Sequence, residues 1–86
     1  MFGMKTIYSH VYNGLKIEVR EDLKRVYLYV NDVECDFSSG KNELNHTTKD
    51  GTKIQVVFKQ GLFNISMNIY VNDCQITYRK NYKKDN

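Results

Sequence analysis

The sequence predicts an all-β fold of eight short antiparallel strands in a β-sandwich or small barrel, built from two copies of a four-strand unit. Three observations carry this. Apolar residues alternate with a period of two, and no 3.6-residue periodicity of helical length occurs. Turn dipeptides such as Asn13-Gly14 and Asp50-Gly51 separate the alternating runs. The third is an internal match: offset by 41 positions, Val26 to Phe37 (VYLYVNDVECDF) aligns with Met67 to Tyr78 (MNIYVNDCQITY), so that Tyr29-Val30-Asn31-Asp32 recurs as Tyr70-Val71-Asn72-Asp73.

A second block agrees. Gly14-Leu15-Lys16-Ile17-Glu18-Val19 matches Gly51-Thr52-Lys53-Ile54-Gln55-Val56 at an offset of 37. Each copy therefore reads as two successive hairpins, one repeat over about 5–37 and the other over about 42–78, within a single domain of 86 residues.

The first hairpin turns at Asn13-Gly14. This dipeptide tolerates positive φ at both central positions of a two-residue type I′ turn, and Asp50-Gly51 predicts the same turn in the second copy. After Asn13-Gly14 the strand sets Leu15, Ile17 and Val19 inward and Lys16, Glu18 and Arg20 outward. Its partner places Tyr8, His10 and Tyr12 beside the apolar residues and leaves Ile7 and Val11 on the outer face. A strand with that pattern is half covered by a second layer or by another subunit.

The Asn31-Asp32 and Asn72-Asp73 turns fix the register of the second hairpins. A two-residue turn at Asn31-Asp32 pairs Val30 with Val33, Leu28 with Cys35 and Val26 with Phe37 on one face. Tyr29 then meets Glu34, and Tyr27 meets Asp36, on the other. In the second copy Val71, Ile69 and Met67 face Cys74, Ile76 and Tyr78, while Tyr70 and Asn68 face Gln75 and Thr77. The second copy also sets Ile54, Val56 and Phe58 inward, and Phe63, Ile65, Met67, Ile69 and Val71 alternate along one strand.

Composition bounds the function. The net charge of +3 resides in the tail: residues 1–78 carry nine Lys or Arg against nine Asp or Glu, and 79–86 add Arg79, Lys80, Lys83 and Lys84 against Asp85. A phosphate-binding face needs basic residues recurring on the fold itself, so nucleic-acid binding, through exposed aromatics and the basic tail, is the alternative function and not the first. No apolar run reaches the length of a membrane helix, and Met1 to Lys5 lacks a signal peptide's apolar core. A cytoplasmic protein without membrane attachment is expected. Two cysteines are too few for a disulfide framework, and the sequons at Asn45 and Asn64 carry no weight without export.

No nucleophile elbow, metal-ligand spacing or phosphate loop is present, so neither enzymatic activity, a metal nor a cofactor is expected. His10 reads as an interior or boundary residue beside Ile17, and His46 as an exposed strand residue. Cys35 and Cys74 fall on the predicted core face, where thiols act as small hydrophobes. Tyr27, Tyr29 and Tyr70 are the contact candidates, because aromatic side chains on the solvent face of a hairpin supply binding energy.

The run Lys16-Ile17-Glu18-Val19, the Lys24-Arg25-Val26 to Val30 strand ending in Asn31, the Lys53-Ile54 strand, the Tyr70-Val71-Asn72 hairpin and the basic tail together resemble the β-sandwich of the Fas apoptotic inhibitory molecule family. The resemblance implies a compact, non-enzymatic protein-interaction domain. The absent catalytic motifs, the neutral body and the paired Tyr29 and Tyr70 lead to the same expectation: a protein-interaction module, a small inhibitor or regulatory protein acting as monomer or homodimer on a protein partner.

Overall fold

The computed structural model describes residues 4–23, 25–38, 42–60, 62 and 65–79. Its elements are eight strands: β1 (Lys5–Tyr12), β2 (Leu15–Glu21), β3 (Val26–Val30), β4 (Val33–Ser38), β5 (Glu43–Thr47), β6 (Lys53–Gln60), β7 (Ile65–Val71) and β8 (Cys74–Arg79). They form two four-stranded antiparallel meanders, β1-β2-β3-β4 and β5-β6-β7-β8, in place of one closed barrel sheet. The chain divides into two compact units, residues 1–44 and 45–86.

The turns explain the strand boundaries. Asn13 (φ 49°) and Gly14 (φ 81°), Asn31 (φ 51°) and Asp32 (φ 67°), and Asn72 (φ 51°) and Asp73 (φ 67°) each place both central residues in the left-handed region that a type I′ turn requires. Asn and Asp adopt it at modest cost because their short polar side chains bond locally. Asp50-Gly51 departs from the expected type I′ geometry. Only Gly51 has positive φ there (90°), and its N–H donates to the Thr48 carbonyl at 3.0 Å. The loop is longer, with Thr48 N–H donating to the Thr52 carbonyl at 2.9 Å, because the Asp50 side chain is engaged by Thr48 and Thr52.

Each sheet buries one face. In the first unit Ile17, Val19 and Leu28 are fully buried and Val30 nearly so; in the second Ile54, Val56, Met67 and Ile69 are fully buried, with Val71 close behind. Every such side chain contributes about 1.5–3 kcal/mol of burial energy, which is why the alternation dominates the sequence. Phe58 and Ile65 are half-buried at the ends of this row, and Phe63 lies outside the described residues.

Both second hairpins carry a β-bulge at the same place. Val30↔Val33 and Tyr29↔Glu34 pair as expected, after which the register slips so that Leu28, Tyr27 and Val26 face Asp36, Phe37 and Ser38. Val71↔Cys74 and Tyr70↔Gln75 are likewise followed by Ile69↔Thr77, Asn68↔Tyr78 and Met67↔Arg79. The extra residues are Cys35 and Ile76, which the internal match aligns with each other. The slip overturns the expected Leu28–Cys35, Val26–Phe37, Tyr27–Asp36, Ile69–Ile76, Met67–Tyr78 and Asn68–Thr77 pairs, since one inserted residue reassigns every position beyond it. Cys35 becomes half-buried and Cys74 exposed, so neither thiol joins the core.

Candidate functional site

The outer face of the β1-β2-β3-β4 sheet gathers the chemically richest side chains. Cross-strand pairing lays them in rows: Ser9, Glu18, Tyr29 and Glu34 in one, and Thr6, Arg20, Tyr27 and Phe37 in the next. The second row exists because of the bulge, which brings Phe37 round to Tyr27, their rings 6.3 Å apart.

Arg20 is the hub. Its Nη2 donates to Glu18 Oε1 at 2.6 Å and to Asp32 Oδ1 at 3.5 Å, and its guanidinium lies 4.0 Å from the centre of the Tyr29 ring. Asp32 also accepts from Lys16 Nζ at 3.1 Å. Glu18 is only 6% exposed although it sits on the outer face, which leaves Arg20 as the counter-charge for a largely desolvated carboxylate. The hydrogen bond to Glu18 is the main reason the Arg20 guanidinium holds its proton even more tightly than usual.

Tyr27 corrects an expectation. It is 8% exposed, and its hydroxyl donates to Asp22 Oδ2 at 2.7 Å, so it is a buried post and not an open contact residue. That hydrogen bond, followed by burial, raises the Tyr27 pKa above the usual phenol value. Asp22 completes the β2–β3 turn by accepting from Arg25 N–H at 2.8 Å, and the Arg25 guanidinium lies 5.0 Å from the Phe37 ring centre. Tyr29 and Tyr70 are half-buried, with the Tyr29 hydroxyl donating to the Met4 sulfur at 3.8 Å.

The second unit repeats the frame without the cluster. By the internal match, Lys16, Glu18 and Arg20 correspond to Lys53, Gln55 and Val57, while Tyr27 and Tyr29 correspond to Asn68 and Tyr70. Tyr70 pairs with Gln55, and Val57 with Asn68. The Lys16–Asp32 pair thus recurs as Lys53–Asp73, whereas Gln55 and Val57 stand where the first unit has Glu18 and Arg20.

The histidines exchange their expected environments. His10 is exposed, its ring 6.3 Å from that of Tyr8, because β1 is an edge strand; His46 is half-buried. Among the described residues no group of three His, Cys, Asp or Glu side chains is placed to hold a metal ion. Burial, chiefly, raises the Cys35 thiol pKa, and the thiol donates weakly to the Val33 carbonyl at 3.3 Å. Arg79 ends β8 opposite Met67, whereas Lys80, Lys83 and Lys84 lie outside the described residues. Alternation places Tyr29, Arg20 and Glu18 on the outer face, but nothing in the sequence marks the contact between Arg20 and Glu18 or brings Phe37 onto that face.

Comparison of the chain with known protein families, curated proteins and solved structures returns no match.

Proposed function

We propose that the chain is a protein-interaction module whose contact surface is the outer face of the first sheet, centred on Arg20 and Tyr29. The observation that carries this reading is the Arg20 guanidinium stacked 4.0 Å over the Tyr29 ring while bonded to a buried Glu18. Arg and Tyr dominate the energetics of protein contacts. Here both are held in place before any partner arrives, so little side-chain freedom is left to lose on binding. The half-exposed Phe37 ring lies in the next row of the same face. Nucleic-acid binding is the weaker reading, because Glu18, Asp32 and Glu34 share this face with Arg20 and oppose a phosphate backbone.

The test is a side-by-side affinity capture with the wild type, Tyr29→Ser and Tyr70→Ser, each checked for folding by circular dichroism. Proteins held by the wild type and Tyr70→Ser but lost from Tyr29→Ser support the reading, since Tyr70 occupies the matching position without the charged cluster. An identical set captured by all three overturns it.

A further inference from the structure

Four strands form the sheet edges, and three of them are blunted. β4 carries Glu34, Asp36 and a bulge at Cys35; β8 carries a bulge at Ile76; β5 is five residues long and opens on Glu43. Charges, bulges and short length are the devices by which β-proteins keep edges from pairing with other chains. β1 differs. Its bulge lies at Ile7, near one end, and from Tyr8 to Tyr12 it pairs regularly with β2 and contains no charged residue and no Pro. Ser9, His10 and Val11 in its middle are exposed.

The direction of the free hydrogen-bonding groups follows from the turn. In the two-residue turn at Asn13-Gly14, Tyr12 and Leu15 are the bonded pair, so Tyr12, His10 and Tyr8 direct their backbone groups at β2. Ser9 and Val11 must then direct theirs outward. Lys16 agrees with this phase: opposite Val11, it spends its N–H and carbonyl on Asn31, on the side away from β1.

We infer that β1 is a self-pairing edge: two copies of the chain join antiparallel through Tyr8–Tyr12 about a two-fold axis at His10, making a continuous eight-stranded sheet. The register follows from the strand itself. The regular stretch is bounded by the bulge at Ile7 and the turn at Asn13, and a symmetric pairing that uses all of it must centre on its midpoint, His10. His10 then faces its own copy, Tyr8 faces the second copy's Tyr12, and Ser9 faces the second copy's Val11 in the two bonded pairs. No Lys, Arg, Asp or Glu faces a residue of like sign, and each Tyr gains an aromatic neighbour across the seam. The inference is independent of the Arg20–Tyr29 surface.

The register makes a charge test possible at Ser9 and Val11, which are exposed and point away from the buried face. Ser9→Lys combined with Val11→Lys sets ammonium groups opposite each other twice across the axis. Val11→Glu combined with Ser9→Lys sets opposite charges there instead, and each new charge also meets an opposite one on β2, at Lys16 and Glu18. In analytical ultracentrifugation, the wild type and the Glu/Lys variant should sediment at twice the chain mass, and the Lys/Lys variant at the mass of one chain. Circular dichroism should show all three folded. A wild type that stays monomeric up to its solubility limit overturns the inference, as does a dimeric Lys/Lys variant, a monomeric Glu/Lys variant, or open-ended assembly.

Discussion

Asn31 and Lys16 close on each other through two hydrogen bonds: the Asn31 N–H donates to the Lys16 carbonyl at 2.9 Å, and the Lys16 N–H donates to Asn31 Oδ1 at 3.0 Å. Left-handed backbone at Asn31 ends the regular ladder, and its side-chain oxygen stands in as acceptor. Asn72 and Lys53 repeat the arrangement at 2.8 and 2.9 Å. Asp32 and Asp73 then pair with the ammonium groups of Lys16 and Lys53. This explains why the two matched blocks recur together at different offsets. Gly-x-Lys-Ile and Tyr-Val-Asn-Asp are the two halves of one joint between a hairpin turn and the strand beside it.

Asn31 should therefore be sensitive in a graded way. Asn31→Gly keeps the left-handed turn and loses the acceptor, costing about 1 kcal/mol. Asn31→Ala also forces a Cβ residue into φ 51° without local hydrogen bonding, adding about 1–2 kcal/mol. Urea unfolding should rank wild type above Gly above Ala, with the same order at Asn72. Equal losses for Gly and Ala would remove the backbone part of this account.

Arg20 and Glu18 should behave as a coupled pair. Arg20→Ala leaves the Glu18 carboxylate enclosed without its counter-charge, a loss on the order of 1–3 kcal/mol. Glu18→Gln lowers the demand for a counter-charge, so the double variant should recover part of that loss. A double-mutant cycle by chemical denaturation reads the coupling directly. Strict additivity would mean that Glu18 is solvated enough to stand alone.

The two thiols should differ in reactivity. Cys74 is exposed, whereas Cys35 is half-buried at its bulge, and burial chiefly raises its pKa above the ordinary cysteine value. With a thiol-specific reagent near neutral pH, Cys35→Ala should retain the fast native-state reaction and Cys74→Ala only a slow one, several-fold apart. Both should react alike in denaturant. Equal native rates would contradict the burial of Cys35.

Alternation and turn chemistry made the strands, the buried Ile17, Val19, Leu28, Ile54, Val56, Met67 and Ile69, and the left-handed Asn-Asp turns legible in the sequence. The bulges were not. Val33-Glu34-Cys35-Asp36-Phe37 reads as unbroken alternation, and a single inserted residue leaves no mark in such a run while moving Phe37 beside Tyr27. Exposure failed for the same kind of reason. Tyr27 has the strand parity of a surface residue, but a hydroxyl bonded to Asp22 across the turn and a ring beside Phe37 bury it. Period-two reasoning assigns a face; what covers that face depends on neighbours from other strands.

The loop between β5 and β6 should give the protein a specific acid response. Asp50 Oδ1 accepts from the Thr48 hydroxyl, from Thr52 N–H at 3.2 Å and from the Thr52 hydroxyl at 3.0 Å. These bonds favour the ionised carboxylate, led by the one from the Thr48 hydroxyl, and hold its pKa below the usual Asp value. A carboxylate whose pKa is lower in the folded state than in the unfolded state stabilises the fold fully above the unfolded value of about 3.9, and loses that contribution as pH falls through the folded one. Asp50→Asn removes the charge at every pH. The melting-temperature gap between wild type and Asp50→Asn should thus be widest near neutrality and close as the pH drops below the ordinary carboxylate range. A gap that stays constant or widens on acidification would show that the Thr48 and Thr52 bonds do not favour the charged form.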